Sequence, residues 1–321
     1  MMRNEGPFVL EWVAHYKALG FDDIVVCTND CEDTTTELLL ALQDHGLVRH
    51  HATIKPATGV LQIAAIAQAL DYNEARHASW VFVCDADEFL NIRIGDGSAR
   101  ALVAASERDA DGIWVPWRVF GANGTYRFCD TPVKAQFLMA QRLPPASPVV
   151  GNWGKSLHRR ASSEKISFVG AHKPNGHKDC SAAFRINLPG GQPYAQNGER
   201  SAIAPSYDLA QINHYALRSF DAYLVKRARG SAFRSNEVID LEYWTLFDRA
   251  RSHDDSIRRY DEGAARWMEL FRKDARLMKL HRASVDWYER TAAKMRADPQ
   301  LQELENKVRK SDLRSVQRQH A

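Results

Sequence analysis

Asp85, Asp87 and Glu88 put three carboxylates within four residues, directly after the apolar run Trp80-Val81-Phe82-Val83-Cys84. Carboxylates so close together repel one another unless a cation is shared among them. Two Asp at a spacing of two can both reach a hard divalent ion, and in open α/β sheets ligands bind beyond the carboxyl ends of the strands. The run ahead of the cluster, continuous in β-branched and aromatic residues, reads as a parallel strand buried on both faces. Asp87 is read as the better metal ligand, with Asp85 reaching the ion or a ribose. Glu88 is a weak catalytic candidate, as an orienting group or as the base for an acceptor hydroxyl; a salt bridge is the alternative. The bland reading of all three is a capped strand end.

The elements that must carry this cluster alternate over the first two hundred residues, with no fixed-period repeat. Pro7 opens a helix with Val9, Val13 and Tyr16 on one face, and Gly20 stops it. Ile24 to Thr28 is a strand, Asn29 to Asp33 its loop, and Thr34 to Glu37 has the spacing of a capping box before Leu38, Leu39 and Leu42. A strand beginning at Leu47 and Val48 and a helix from about Val60 to Arg76 complete a βαβαβ pattern ahead of the carboxylates. A further helix over Ala99 to Glu107 and a strand through Ile113 to Trp117 follow. From 121 to 208 the chain is rich in Gly, Pro, Asn and Ser, which inside a domain marks a binding region. Beyond Ser219 the pattern is helical almost to the end. The expected division is 1–230 as the α/β domain and 231–321 as a helical extension. A doubly wound fold needs a strand before its first helix, and Met1 to Glu5 leave no room for one. The expectation is that the strand is missing from this sequence, the alternative being that another segment pairs in its place.

Composition limits the function classes. The net charge is +3, yet residues 216–321 hold 23 Lys and Arg against 17 Asp and Glu, so the tail is the basic half. No nucleic-acid motif is present, and near-neutral charge argues against a general phosphate-backbone binder. Cys27, Cys31, Cys84, Cys129 and Cys180 are odd in number and lack zinc-ligand spacing, so they read as reduced thiols. Neither a transmembrane run nor an apolar signal stretch is visible, which points to a cytoplasmic protein. The basic tail offers a peripheral contact with the inner face of the membrane, though a solvated helical face packed on the catalytic domain is the plainer reading.

Several motifs, taken in order, resemble the bacterial glycosyltransferase family 2-like group akin to family 92. They are Arg3-Asn4-Glu5, Glu11 to Tyr16, Leu19 to Asp22, Asn29 to Thr34, Asp85 to Phe89, Trp117 to Gly121 and His214-Tyr215, covering Arg3 to about Gly230. The resemblance implies a GT-A fold, Rossmann-like with a mostly parallel sheet, in which the Asp-x-Asp motif holds Mn2+ or Mg2+ on the diphosphate of a sugar nucleotide. It implies transfer of the sugar to a glycan, lipid-linked or polysaccharide acceptor. It makes His214 a metal or diphosphate ligand and places Arg3, Asn4, Glu5, Asn29, Asp30 and Asp33 beside the base or ribose. The bland readings are a core histidine for His214 and a helix cap for Asp33.

Gln62, early in its helix, is a donor-side candidate, and Lys155 is a candidate cation for the diphosphate. Trp117, Arg118, Trp153 and His172 are expected to shape the acceptor side, because aromatic faces pack on the apolar faces of sugar rings. Glu88, Asp130 and Glu164 remain open as acceptor bases. Two other classes stand beside this one: a metal-dependent phosphotransferase or phosphatase, which usually follows its second Asp with Thr or Val, and a non-catalytic carbohydrate-binding or scaffold protein.

Overall fold

The computed structural model describes residues 1–106, 110–143, 153–177, 184–187, 206–229 and 240–317. In chain order the helices are α1 (Gly6–Ala18), α2 (Thr35–Asp44), α3 (Leu61–Leu70), α4 (Asn73–His77), α5 (Ala99–Ala104), α6 (Val133–Gln136), α7 (Phe220–Arg229), α8 (Leu241–Phe247), α9 (Asp261–Lys273), α10 (Ala275–Arg296) and α11 (Pro299–Gln317). The strands are β1 (Val25–Thr28), β2 (Arg49–Ala52), β3 (Trp80–Phe82), β4 (Glu88–Ile92), β5 (Gly112–Val119), β6 (Met139–Ala140), β7 (Gly154–Arg159), β8 (Ile166–Val169), β9 (Pro174–Gly176), β10 (Ile186–Asn187), β11 (Ala210–His214) and β12 (Ser252–His253).

The chain is an α/β protein, but its main sheet is mixed rather than mostly parallel. The path β3-β7-β5-β11-β4 contains antiparallel β3–β7, β7–β5 and β11–β4 ladders and a parallel β5–β11 ladder, with β10 added parallel to β5. β3 and β4 lie at opposite ends of that path yet are joined only by residues 83–87, which include a turn closed by Glu88 N–H donating to Asp85 O at 3.2 Å. The sheet must therefore curl until its two ends meet at the carboxylate cluster.

This corrects the expectation of a parallel strand buried on both faces. β3 is a three-residue, half-buried strand antiparallel to β7, and the fully buried strand is β4, after the carboxylates. The helix expected over 60–76 breaks at Tyr72, whose extended backbone separates α3 from α4. The capping box does not form either. The Thr34 hydroxyl donates to Leu280 O at 2.7 Å, and Asp33 Oδ1 accepts from Thr35 N–H instead. β1 pairs in parallel with β2, and Met2 meets Thr28 through one parallel bridge, its amide donating to Cys27 O at 2.7 Å. Among the described residues β3 makes its ladder with β7 alone.

α1 is buried along its whole length from Gly6 to Tyr16, as expected of a helix packed on several sides. One hydrophobic core runs from α1 and β4 through Trp117, Tyr215 and Tyr223 to Phe271, Leu277, Tyr288 and Val308, so α9, α10 and α11 share the core of the sheet. Gly6 marks the closest approach of α1 to α10: a Cβ there would lie 2.5 Å from Ser284 Cβ. No described helix is long and apolar enough to cross a membrane. Cys27, Cys31, Cys84 and Cys129 are free thiols, and Cys180 lies outside the described residues.

Candidate functional site

Three side chains on one face of α1 hold the backbone of the carboxylate turn. Trp12 Nε1 donates to Asp85 O at 3.1 Å, Tyr16 OH donates to Glu88 O at 3.0 Å, and His15 Nε2 meets Leu90 O at 2.9 Å. Spacings of three and four put these residues on one helix face. β11 supplies the other wall. Its antiparallel register places His214 opposite Glu88, and Tyr215 N–H donates to Asp87 O at 2.8 Å.

Two lysines serve the turn: Lys155 is shared by Asp85 and Glu88, and Lys226 pairs with Asp87. Asp85 accepts from Lys155 Nζ at 2.7 Å and from Gln62 Nε2 at 2.9 Å, and its side chain is 31% exposed. Asp87 accepts from Lys226 Nζ at 2.8 Å, and its other oxygen lies 3.8 Å from His214 Nε2. Burial alone would raise both carboxyls. Lys155 outweighs it at Asp85, and Lys226, His214 and Arg218 outweigh it at Asp87, so both are held below the usual carboxylate range. The charge of Asp87 in turn raises Asp85, so the two carboxylates feel one local field. Glu88 differs. Burial, followed by the charges of Asp85 and Asp87, outweighs Lys155 and pushes it up to about 8. Its Oε2 accepts from Asp85 N–H at 2.9 Å.

Around this turn lies a cationic ring that sequence reading missed. Arg218 Nη1 donates to Glu5 Oε2 at 2.9 Å and Nη2 to Ala86 O at 3.0 Å, while Arg229 pairs with the other Glu5 oxygen. With Glu88 protonated near neutral pH, Lys155, Arg218, Lys226 and Arg229 face Glu5, Asp85 and Asp87, four positive charges against three negative. The available signal was the pair Lys226 and Arg229, three apart on α7 and therefore on one face.

Trp117, Trp153 and His172 come together beside the turn. Trp117 lies over His214 with ring centroids 4.0 Å apart, Trp153 and His172 meet Trp117 edge-on, and Phe247 stacks on Trp153. Burial lowers His214 to about 4, so it is neutral at physiological pH, and its Nδ1 is buried without a hydrogen-bond partner. Arg118 is a correction. Alternation along β5 turns it to the opposite sheet face, where it pairs with buried Asp254.

Other placements also differ from expectation. Lys155 is fully buried behind Asp85, also donating to Ala171 O at 2.7 Å, so it anchors the turn rather than offering itself to a diphosphate. Gln62 is held against Asp85. Asp33 spends both oxygens on backbone, accepting from Gly6 N–H and Thr35 N–H, and therefore acts as the helix cap. Glu5 is ion-paired and sealed, and Asn4, with φ +53°, accepts from Glu32 N–H at 2.7 Å through Oδ1, tying residues 3–5 to the loop after β1. Arg3 donates to Arg229 O at 3.0 Å, Asn29 is buried, and Asp30 faces solvent in an ion pair with Lys55.

Of the candidate bases, Glu88 is turned inward, Asp130 is 3.1 Å from His281, and Glu164 is exposed on a 3-10 turn. None is presented to an acceptor.

The donor set suits a divalent cation. Asp85 and Asp87 are ionised, His214 is neutral as a ligand must be, and its buried Nδ1 is unpartnered. Among the described residues no group of three or more His, Cys, Asp and Glu side chains is arranged to hold a metal ion. An open site that leaves positions to water and phosphate oxygens has no need of such a group. No family model, curated protein or solved structure matches this chain.

Proposed function

We propose that this chain is a metal-dependent glycosyltransferase of the GT-A type, using a nucleoside diphosphate sugar as donor and a glycan, lipid-linked or polysaccharide hydroxyl as acceptor. The observation that carries the reading is the Asp85-Ala86-Asp87 turn, its two ionised carboxylates set in one site beneath a surplus of fixed cations. Mn2+ or Mg2+ held by Asp87, with Asp85 reaching the ion or a ribose and His214 beside the diphosphate, would neutralise charge building on the departing diphosphate, which is worth several kcal/mol to such a transition state.

The protein's own residues do the positioning. Trp12, His15 and Tyr16 fix the turn backbone, Lys155 and Gln62 fix the rotamer of Asp85, and Arg218 bonds the Ala86 carbonyl between the two carboxylates. Half-buried Trp153 and exposed His172, both packed edge-on against buried Trp117, are the aromatic groups that a sugar ring could reach. Glu88 supports Asp85 from behind. Calorimetric titration with UDP and GDP, with and without Mn2+, tests the reading. Metal-dependent binding that Asp87→Ala abolishes is expected, and binding that ignores both the metal and the substitution refutes it.

A further inference from the structure

The cleft beside Asp87, whose lining includes Asn4, Glu5, Asp87, Arg218, Lys226 and Arg229, has a cavity volume of only about 10 Å3, room for roughly one water. That is less than the roughly 300–1,000 Å3 of an ordinary small-molecule site. Lys226 fills the position that a ligand would need. Its ammonium lies 2.8 Å from Asp87 Oδ2 and 3.0 Å from Ala216 O, and 5.4 Å from the Tyr243 ring centroid.

The cations of the cleft are not equally replaceable. Arg218 is 7% exposed and bonds both Glu5 and a backbone carbonyl; Arg229 is held by the second Glu5 oxygen. Lys226 is 20% exposed, and among the described residues its one carboxylate partner is Asp87, the residue assigned to the metal. A lysine ammonium is a point charge on four flexible methylenes, so it can exchange one anion for another by rotation of its stem.

We propose that Lys226 is a tethered counter-ion that occupies Asp87 until a divalent cation and a diphosphate arrive together, and then transfers its ammonium to the diphosphate. The proposal rests on the glycosyltransferase reading of the site. Lys226 competes with metal for Asp87, so metal alone binds weakly. A diphosphate gives the displaced ammonium a new partner, so each ligand strengthens the other, and the coupling is reciprocal.

The test is Mn2+ binding followed by electron paramagnetic resonance, alone and with saturating UDP or GDP, in the full chain and in Lys226→Met. Removal of the competitor is expected to tighten Mn2+ binding in the absence of nucleotide by about tenfold. It is expected to weaken nucleotide binding in saturating Mn2+ by about tenfold, within the range of measured coupling between sites. Lys226→Arg keeps the charge and should retain weak metal-only binding. Lys226→Gln, which still offers Asp87 a donor, should change both affinities in the same directions as Met and guards against a misfolded variant. If Lys226→Met leaves Mn2+-only affinity unchanged or weaker while Asp87→Ala abolishes Mn2+-nucleotide binding, the counter-ion role is wrong and the glycosyltransferase reading stands. If the unmodified chain binds Mn2+ neither alone nor with nucleotide, the reading itself fails and this inference with it.

Discussion

Replacing Lys155 by Met removes the single ammonium between Asp85 and Glu88 while keeping most of the side-chain volume. Lys155 Nζ lies 2.7 Å from Asp85 and 3.4 Å from Glu88, with no solvent exposure. Breaking a buried ion pair from one side costs about 3–5 kcal/mol, because the remaining charge stays desolvated. Here the lower end applies. Glu88 is pushed up to about 8 by burial and its neighbours and carries little charge at pH 7, and Asp85 keeps Gln62 and partial exposure. A loss of about 3 kcal/mol is expected. For 321 residues the unfolding entropy is on the order of 0.7 kcal/mol/K, so Tm should fall by about 4–5 °C. Urea unfolding at pH 7 measures the difference, with Lys155→Met/Asp85→Asn as the companion. The double variant, lacking the stranded charge, should recover most of the loss. A single variant within about 0.5 kcal/mol of the parent, or a double variant no better than the single, would refute the view of Lys155 as the anchor of the turn.

Three further outcomes follow from other contacts. Arg118→Met leaves Asp254 to Arg93, Gln211 and the Ser256 amide on the sheet face away from the site and should cost about 1.5–3 kcal/mol in chemical unfolding, while Mn2+-dependent nucleotide affinity stays within about twofold; a large loss of affinity would place Arg118 in the site after all. Gly6→Ala drives a Cβ to 2.5 Å from Ser284 Cβ and 2.8 Å from Asp33 Oδ2, so it should cost about 1–3 kcal/mol, detectable as a lower Tm. Half-buried Asp248 is raised to about 6, first by desolvation and then by the charge of Asp312. A carboxyl raised on folding contributes stability that is complete below its unfolded value near 3.8 and is lost as pH climbs through about 6. Between pH 4 and 7 the parent should therefore lose on the order of 2–3 kcal/mol relative to Asp248→Asn, measured by paired urea titrations. Parallel pH profiles for the two proteins would exclude the assigned shift.

What the sequence disclosed was local. The Asp-x-Asp cluster follows a short apolar run, Pro7 begins α1, and the aromatic character of Trp117 and Trp153 is visible without coordinates. What it concealed depends on distant partners. Glu88-Phe89-Leu90-Asn91-Ile92 carries a carboxylate and an amide, so it does not read as a buried strand, and its partner β11 lies about 120 residues further on. Lys155 reads as a surface or phosphate-binding lysine because the carboxylates that bury it stand some 70 residues upstream. Asp33 has the same residue type and loop position whether it caps a helix or meets a base. Only the approach of Gly6 N–H decides for the cap. The cations of α7 look like an ordinary basic helix face until the fold brings them against Glu5 and Asp87.

Crystals grown with Mn2+ and UDP or GDP, recorded at the manganese absorption edge, would show whether Asp85 and Asp87 hold a divalent cation on a diphosphate. One anomalous peak is expected within coordination distance of Asp87 and of a phosphate oxygen, with Lys226 moved off the carboxylate. Nucleotide density with no peak at Asp87, or a peak elsewhere while Lys226 remains paired with Asp87, contradicts that assignment.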